Sequence, residues 1–113
     1  MRDGFYHMRL ASSGREVDSL VAIAGNALKG SGAGYLYEGR LQAAQTTLSG
    51  RVLIRKLEDR TPAVLGLFKE IAVEVSGSYD PEAQSFQFHG QLNAHHVVRI
   101  AASGRYVAPL EAP

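Results

Sequence analysis

The sequence predicts an all-β fold, an antiparallel up-and-down (meander) barrel of about eight strands. Three observations support this prediction. Apolar and polar residues alternate with a period of two along most of the chain, which is strand spacing. Short polar or glycine-containing segments separate the alternating runs, as in strands joined by hairpins. Two pentapeptides of the form aromatic-x-Gly-x-Leu, centred on Gly39 and Gly90, place a glycine on an apolar strand face, where it favours a bend or a close backbone approach.

The first part of the chain predicts three strands. Residues 6–10 put Tyr6, Met8 and Leu10 on one face, and residues 12–16 form a polar turn. Residues 20–24 are a short apolar run that ends at Gly25-Asn26. Residues 27–29 fit the return strand of a hairpin around that pair.

The middle of the chain predicts two long strands and one helical turn. Residues 30–34 are glycine-rich and predict a flexible linker into the strand over residues 35–41. Gln42-Ala43-Ala44-Gln45 is the expected hairpin turn, and residues 48–54 continue the alternation. A break follows, in which Thr61 and Pro62 fit an N-cap and a first helical position, so we expect one helical turn from Pro62 to Leu65.

The last part predicts three further strands. Residues 71–77 alternate, and Asp80-Pro81-Glu82 forms a turn because proline presets φ for its second position. Residues 86–92 and 98–104 alternate on either side of a turn at Asn93-Ala94. Eight twisted strands in sequence tend to close and so remove their edges. A five- or six-stranded barrel or sandwich with looser ends is the alternative.

Composition limits the classes of function. The chain has 113 residues, which predicts a single domain over residues 1–113. Its net charge is +1, which gives no argument for a nucleic-acid partner. It has no cysteine, and its sequence holds no membrane-length apolar run or signal segment. We therefore expect a cytoplasmic protein.

Titratable residues predict neither a metal site nor a catalytic site. The histidines lack metal-ligand spacing: His95 and His96 are adjacent, and His7 and His89 fall on polar strand faces. Two glutamates on one strand face, Glu70 and Glu74, lie about 13 Å apart and cannot share a proton. We expect no cofactor and no enzyme activity.

Aromatic and aliphatic residues fall mostly on the face that should point inward. They either pack the core or line a cavity for a small apolar, lipid-like ligand. The candidate lining residues are Tyr6, Met8, Tyr35, Tyr37, Val52, Ile71, Val73, Phe86, Phe88, Val98 and Ile100.

The chain also resembles a known family. Its opening, Met1-Arg2-Asp3-Gly4-Phe5-Tyr6-His7-Met8-Arg9, is similar to the DGxYxxxF start of GrlR-like proteins, which are small negative regulators of type III secretion. The similarity continues through residues 29–32, 35–41 and 86–90. It implies a lipocalin-like barrel with an apolar interior, often dimeric, that acts by binding a regulator protein or a lipid-like ligand and not by catalysis.

One segment departs from that family. The resemblance implies an acidic run, used for partner binding, in the loop after the Tyr-x-Gly-x-Leu strand. The matching segment here, Gln42-Ala43-Ala44-Gln45, has no acid. The first hypothesis is therefore a regulatory, protein-binding barrel that forms a homodimer and has a different partner. The second is a carrier of an apolar ligand, in which the segment from Pro62 to Leu65 gates one mouth.

Overall fold

The computed structural model describes residues 1–57, 69–93 and 97–111. Within these ranges the chain forms eight strands and no helix. Each strand pairs antiparallel with the next, and β8 pairs antiparallel with β1, so the sheet is a closed barrel. The predicted fold class is confirmed. The strands are β1 (Gly4–Ser12), β2 (Arg15–Ala24), β3 (Ala27–Gly32), β4 (Tyr35–Ala44), β5 (Thr47–Lys56), β6 (Glu70–Asp80), β7 (Ser85–Asn93) and β8 (Val97–Ala108).

Four of the hairpins have two-residue turns. The one at Gly25-Asn26 is as the sequence predicted, and the other three are tighter than predicted. Ser13 and Gly14 join β1 to β2 with φ values of 53° and 77°. Two positive φ values give the turn the twist of the flanking strands. The predicted turn over residues 12–16 is too long, because Ser12 and Arg15 already pair with each other across the ladder.

Two predicted connections are strand instead. The turn expected at residues 42–45 begins only at Gln45, because Gln42 and Ala44 pair with Ser49 and Thr47 of β5. The linker expected at residues 30–34 is also wrong. Its first three residues continue β3, because the strands on both sides supply ladder partners that outweigh the weak strand preference of glycine.

Of the three later connections that the sequence predicted, one is confirmed and two lie wholly or partly outside the described residues. The turn at Asp80 is confirmed: Asp80 Oδ1 accepts hydrogen bonds from the backbone N–H groups of Glu82 (2.9 Å) and Ala83 (3.2 Å). This is the turn chemistry expected of an aspartate before proline. The predicted helical turn from Pro62 to Leu65 lies outside the described residues, and so does Ala94 of the predicted Asn93-Ala94 turn.

The two pentapeptide glycines lie where neighbouring backbones approach closely. A Cβ at Gly39 would lie 2.6 Å from the Arg51 carbonyl oxygen, and one at Gly90 would lie 2.6 Å from the Glu74 carbonyl oxygen. Real Cβ atoms do not come that close to a backbone oxygen, so both positions require glycine. The predicted close approach is confirmed, and it lets neighbouring strands bend together as the barrel wall curves.

Alternate residues of each strand face into the barrel and form a continuous buried cluster. The side chains of Tyr6, Tyr37 and Ile54 are each 0% exposed. Burial of a large apolar side chain stabilises a fold by roughly 1.5–3 kcal/mol. The interior therefore supplies the main stabilising contribution, and most charged side chains lie on the outer wall.

Candidate functional site

The barrel interior holds all eleven residues named as candidate lining. Each is buried, with exposures from 0% to 6%, and each belongs to the one core cluster. Their rings contact one another: the Phe86 and Phe88 rings stack with centroids 5.8 Å apart, and the Tyr6 ring lies 5.4 Å from that of Phe86. Contact between these rings stabilises the barrel through packing.

Sequence reasoning missed the inward face of β2. Residues 20–24 were interpreted as an apolar run, yet Leu20 is 51% exposed while Ser19 is 5% exposed. The missed signal was the alternation of Val17, Val21 and Ile23, which places the odd-numbered residues inside. Ser19 is therefore an interior hydroxyl.

Two interior hydroxyls have no hydrogen-bond partner among the described residues: Ser19 Oγ and Tyr37 Oη. They face each other across β3, whose Gly30 and Gly32 have no side chain to place between them. Burial raises the pKa of the Tyr37 phenol, and hydrogen bonding from the Ser19 hydroxyl to the ionised phenol lowers it in part. In the neutral state shown, the two hydroxyls are close to each other but do not form a hydrogen bond. Such a pair could bind the polar group of an enclosed molecule or a water.

The residues before β1 are held against the barrel by hydrogen bonds and a ring contact. The Tyr6 hydroxyl donates to the Arg2 carbonyl oxygen (2.6 Å), and the Arg2 guanidinium lies 4.2 Å from the centre of the Tyr106 ring. The backbone N–H of Gly25 donates to Asp3 Oδ1 (2.8 Å), which attaches this segment to the β2–β3 hairpin. Burial, with Tyr79 as a second cause, raises the pKa of Tyr6 well above its ordinary value.

The outer wall carries two adjoining hollows over β6, β7, β8 and β1, of about 610 Å³ and 600 Å³. Both are lined by Arg9, Ser78, Gln87 and Ser103, and we call them together the outer groove. The first hollow adds His7, Asp80, Ser85 and Arg105 among others, and the second adds Ala11, Glu16, His89 and Ala101 among others.

The polar groups outside the groove pair in ordinary surface contacts. Arg55 Nε lies 3.2 Å from Glu70 Oε2, and Arg51 Nε lies 3.9 Å from Glu74 Oε1. These two glutamates therefore have separate arginine partners. Exposed pairs of this kind contribute little stability.

The histidines are separated in the part of the chain that the structure describes. His7 Nε2 lies 3.3 Å from Asp18 Oδ1, and His89 lies in the second hollow of the outer groove. His95 and His96 fall outside the described residues. Over residues 1–57, 69–93 and 97–111, three metal-ligating side chains do not gather anywhere.

The family model for GrlR, described as a negative regulator of the type III secretion system, matches residues 1–110. This chain belongs to the GrlR family. The resemblance predicted from the opening residues and the glycine strands is thereby confirmed. No curated protein sequence matches the chain at a significant level.

The β4–β5 turn of this GrlR family member carries no charged side chain. The resemblance implies an acidic partner-binding loop at this hairpin. Here Gln42, Gln45 and Thr46 are exposed and uncharged, and the chain turns at Gln45 with a φ of 59°. The turn of this hairpin therefore offers hydrogen-bonding groups but no charge.

Residues 1–57, 69–93 and 97–111 include no helix that is long and apolar enough to cross a membrane.

Proposed function

We propose that this protein is a non-enzymatic negative regulator of type III secretion that acts by binding another protein. The observation that carries the proposal is the GrlR family match over residues 1–110. The outer groove supports a binding role, because its two adjoining hollows form a concave surface with polar side chains in its lining. We propose a cytoplasmic location, where such a regulator would meet its partner.

A secretion assay tests the regulatory role. The gene would be deleted and overexpressed in its native host, and transcription of the secretion genes would be measured with a reporter. We expect deletion to raise the reporter signal and overexpression to lower it. A folded, abundant protein that leaves the reporter unchanged in both strains would contradict the proposal.

Self-association is part of the proposed mode of action. Exposed apolar side chains lie near the line along which β8 pairs with β1, here called the β8–β1 seam. Val107 of β8 is 57% exposed, and Leu20 of β2, which pairs with β1, is 51% exposed. Phe5 is half-buried between them, and the β8–β1 register shifts beside it. An apolar patch at a seam suits a contact between two copies.

Light scattering of the purified protein would give twice the chain mass for a dimer, and Leu20→Ser should shift the measured mass toward that of the monomer.

A second candidate function is carriage of a small apolar ligand with one polar group. The facing hydroxyls of Ser19 and Tyr37 favour it, because buried polar groups are almost always hydrogen-bonded. Native mass spectrometry of protein purified from its host would test this candidate. An added mass that survives gentle ionisation supports carriage, and the bare chain mass in every preparation contradicts it.

A further inference from the structure

We propose that Met1, Arg2 and Asp3 form a strap across one mouth of the barrel, and that this strap limits access to the barrel interior from that end. Residues 1–3 precede Gly4, the first residue of β1, so the strap can open without disturbing the sheet. The inference rests on the fold and on the contacts of these residues, and it goes beyond the proposed regulatory function.

The strap lies at the mouth where β1 begins. Each strand is antiparallel to its neighbours, so the β2–β3, β4–β5 and β6–β7 turns lie at this same mouth. The β1–β2 and β3–β4 turns lie at the opposite mouth. The contacts of the strap can therefore be located on one rim of the barrel.

The strap is attached to that rim at two separated places. Asp3 Oδ1 accepts a hydrogen bond from the backbone N–H of Gly25 (2.8 Å) in the β2–β3 turn. The Arg2 guanidinium donates to Gln84 Oε1 (3.2 Å) in the β6–β7 turn and lies 4.2 Å from the centre of the Tyr106 ring. Between these two turns the rim passes β2, β1, β8 and β7, which are half of the strands of the barrel.

The backbone of the strap lies over side chains that point into the barrel. The Tyr6 hydroxyl donates to the Arg2 carbonyl oxygen (2.6 Å), and the Arg2 backbone N–H donates to the Tyr79 hydroxyl (3.4 Å). Both tyrosines belong to the buried core cluster, and the partly buried Met1 packs against the same cluster. The strap therefore covers the interior at this mouth and does not merely follow the rim.

The strap should open more readily than the sheet. The side chains of Arg2 and Asp3 are exposed to solvent. Segments held by a few exposed hydrogen bonds open locally at a much lower free energy than core strands do. Opening removes the cover from Tyr6 and Tyr79, while the pairing of β1 with β2 and β8 is kept.

Nitration by tetranitromethane, a small apolar reagent that modifies phenol rings, measures this access in the whole protein. Mass spectrometry of proteolytic peptides gives the nitration rate at each tyrosine. The double variant Arg2→Ala/Asp3→Ala should nitrate Tyr6 and Tyr79 about tenfold faster than the wild type, because both side-chain attachments of the strap are lost. Tyr37 is the internal reference, since it is equally buried but lies near the start of β4, toward the opposite mouth.

Two single variants and an outer-wall control complete the test. Asp3→Asn keeps an oxygen that accepts from Gly25 and should nitrate Tyr6 at the wild-type rate, whereas Asp3→Ala should nitrate it about threefold faster. Asp18→Ala removes an exposed carboxylate that contacts His7 and not the strap, so it should leave the Tyr6 rate unchanged. If the double variant does not fold, the two Asp3 variants decide the question.

Two results would overturn the proposal. Nitration of Tyr6 and Tyr79 at the same rate in the wild type and in the strap variants would show that the strap does not limit access. An equal rise at Tyr37 would show that the whole barrel opens. A faster rate at Tyr6 and Tyr79 alone supports the strap whatever the reporter assay shows, because that assay tests the regulatory function separately.

Discussion

At the scale of single residues, two tyrosines with similar burial have opposite hydrogen-bonding states. The Tyr6 and Tyr37 side chains are both 0% exposed. The Tyr6 hydroxyl donates to the Arg2 carbonyl oxygen at 2.6 Å, whereas the Tyr37 hydroxyl has no partner among the described residues. Removal of a buried hydroxyl that forms a hydrogen bond lowers the free energy of unfolding. Removal of a buried hydroxyl without a partner leaves it unchanged or raises it.

We therefore predict opposite signs for the same chemical change at the two sites. Tyr6→Phe should lower the free energy of unfolding by about 1 kcal/mol, because it leaves the Arg2 carbonyl without its donor. Tyr37→Phe should leave it unchanged or raise it by about 1 kcal/mol, because it removes a buried hydroxyl that lacks a partner. Urea unfolding of the two variants measures both. A clear loss in Tyr37→Phe would mean that its hydroxyl is hydrogen-bonded, to Ser19, to a water or to a ligand.

At the scale of the elements, the hairpins show what the sequence could predict. Alternation located most strands, and Gly25-Asn26 and Asp80-Pro81 located their turns through specific turn chemistry. The β4–β5 turn was placed too early because Gln45 and Thr46 carry no comparable signal. The apolar run over residues 20–24 did not indicate which face of β2 points inward. Leu20 is more apolar than Ser19, yet the period of the whole strand, and not local hydropathy, decides which one enters the barrel.

The same hairpin gives a prediction about turn strain. Gln45 adopts a φ of 59°, a left-handed conformation that costs a residue with a Cβ about 1 kcal/mol. Gln45→Gly should therefore raise the free energy of unfolding by about 0.5 kcal/mol, once the added freedom of the unfolded chain is subtracted. The matched control is Gln42→Gly within β4, which should lower it by about 0.5–1 kcal/mol. Thermal unfolding of the pair measures the difference, and equal effects would contradict the assigned turn.

At the scale of the whole molecule, the sequence predicted that the sheet closes into a barrel. It did not predict how β1 and β8 pair to close it. The pairing of β1 with β8 joins Phe5 to Ala108, which lie at opposite ends of the chain. Local patterns cannot specify such a pairing, and its register shift beside Phe5 follows from how the closed ring meets itself. The outer groove lies across this closed region, so its residues come from three separate parts of the sequence. Alternation along each strand therefore predicted which residues lie in the interior. The residues of the outer groove could be identified only from the structure, because strand pairing brings them together.

Barrel closure also buries the phenol groups of Tyr6 and Tyr37 inside the protein. We therefore predict that the folded protein loses stability at alkaline pH. The pKa values of Tyr6 and Tyr37 are both raised in the folded protein, mainly by burial. Their contribution to stability is fully present below the unfolded tyrosine pKa of about 10. It is lost as pH rises above that value, because the unfolded chain then releases protons that the barrel retains. The free energy of unfolding should therefore fall progressively above about pH 10.

Urea unfolding at a series of pH values from 8 to 11.5 measures how the free energy of unfolding changes with pH. A variant that lacks both phenol groups tests whether they cause this change. The double variant Tyr6→Phe/Tyr37→Phe should have a shallower decline, because neither site can then release a proton. Tyr106→Phe is the control, since Tyr106 is only partly buried, and it should keep most of the wild-type slope. An unchanged slope in the double variant would contradict the assignment of the alkaline sensitivity to these two phenols.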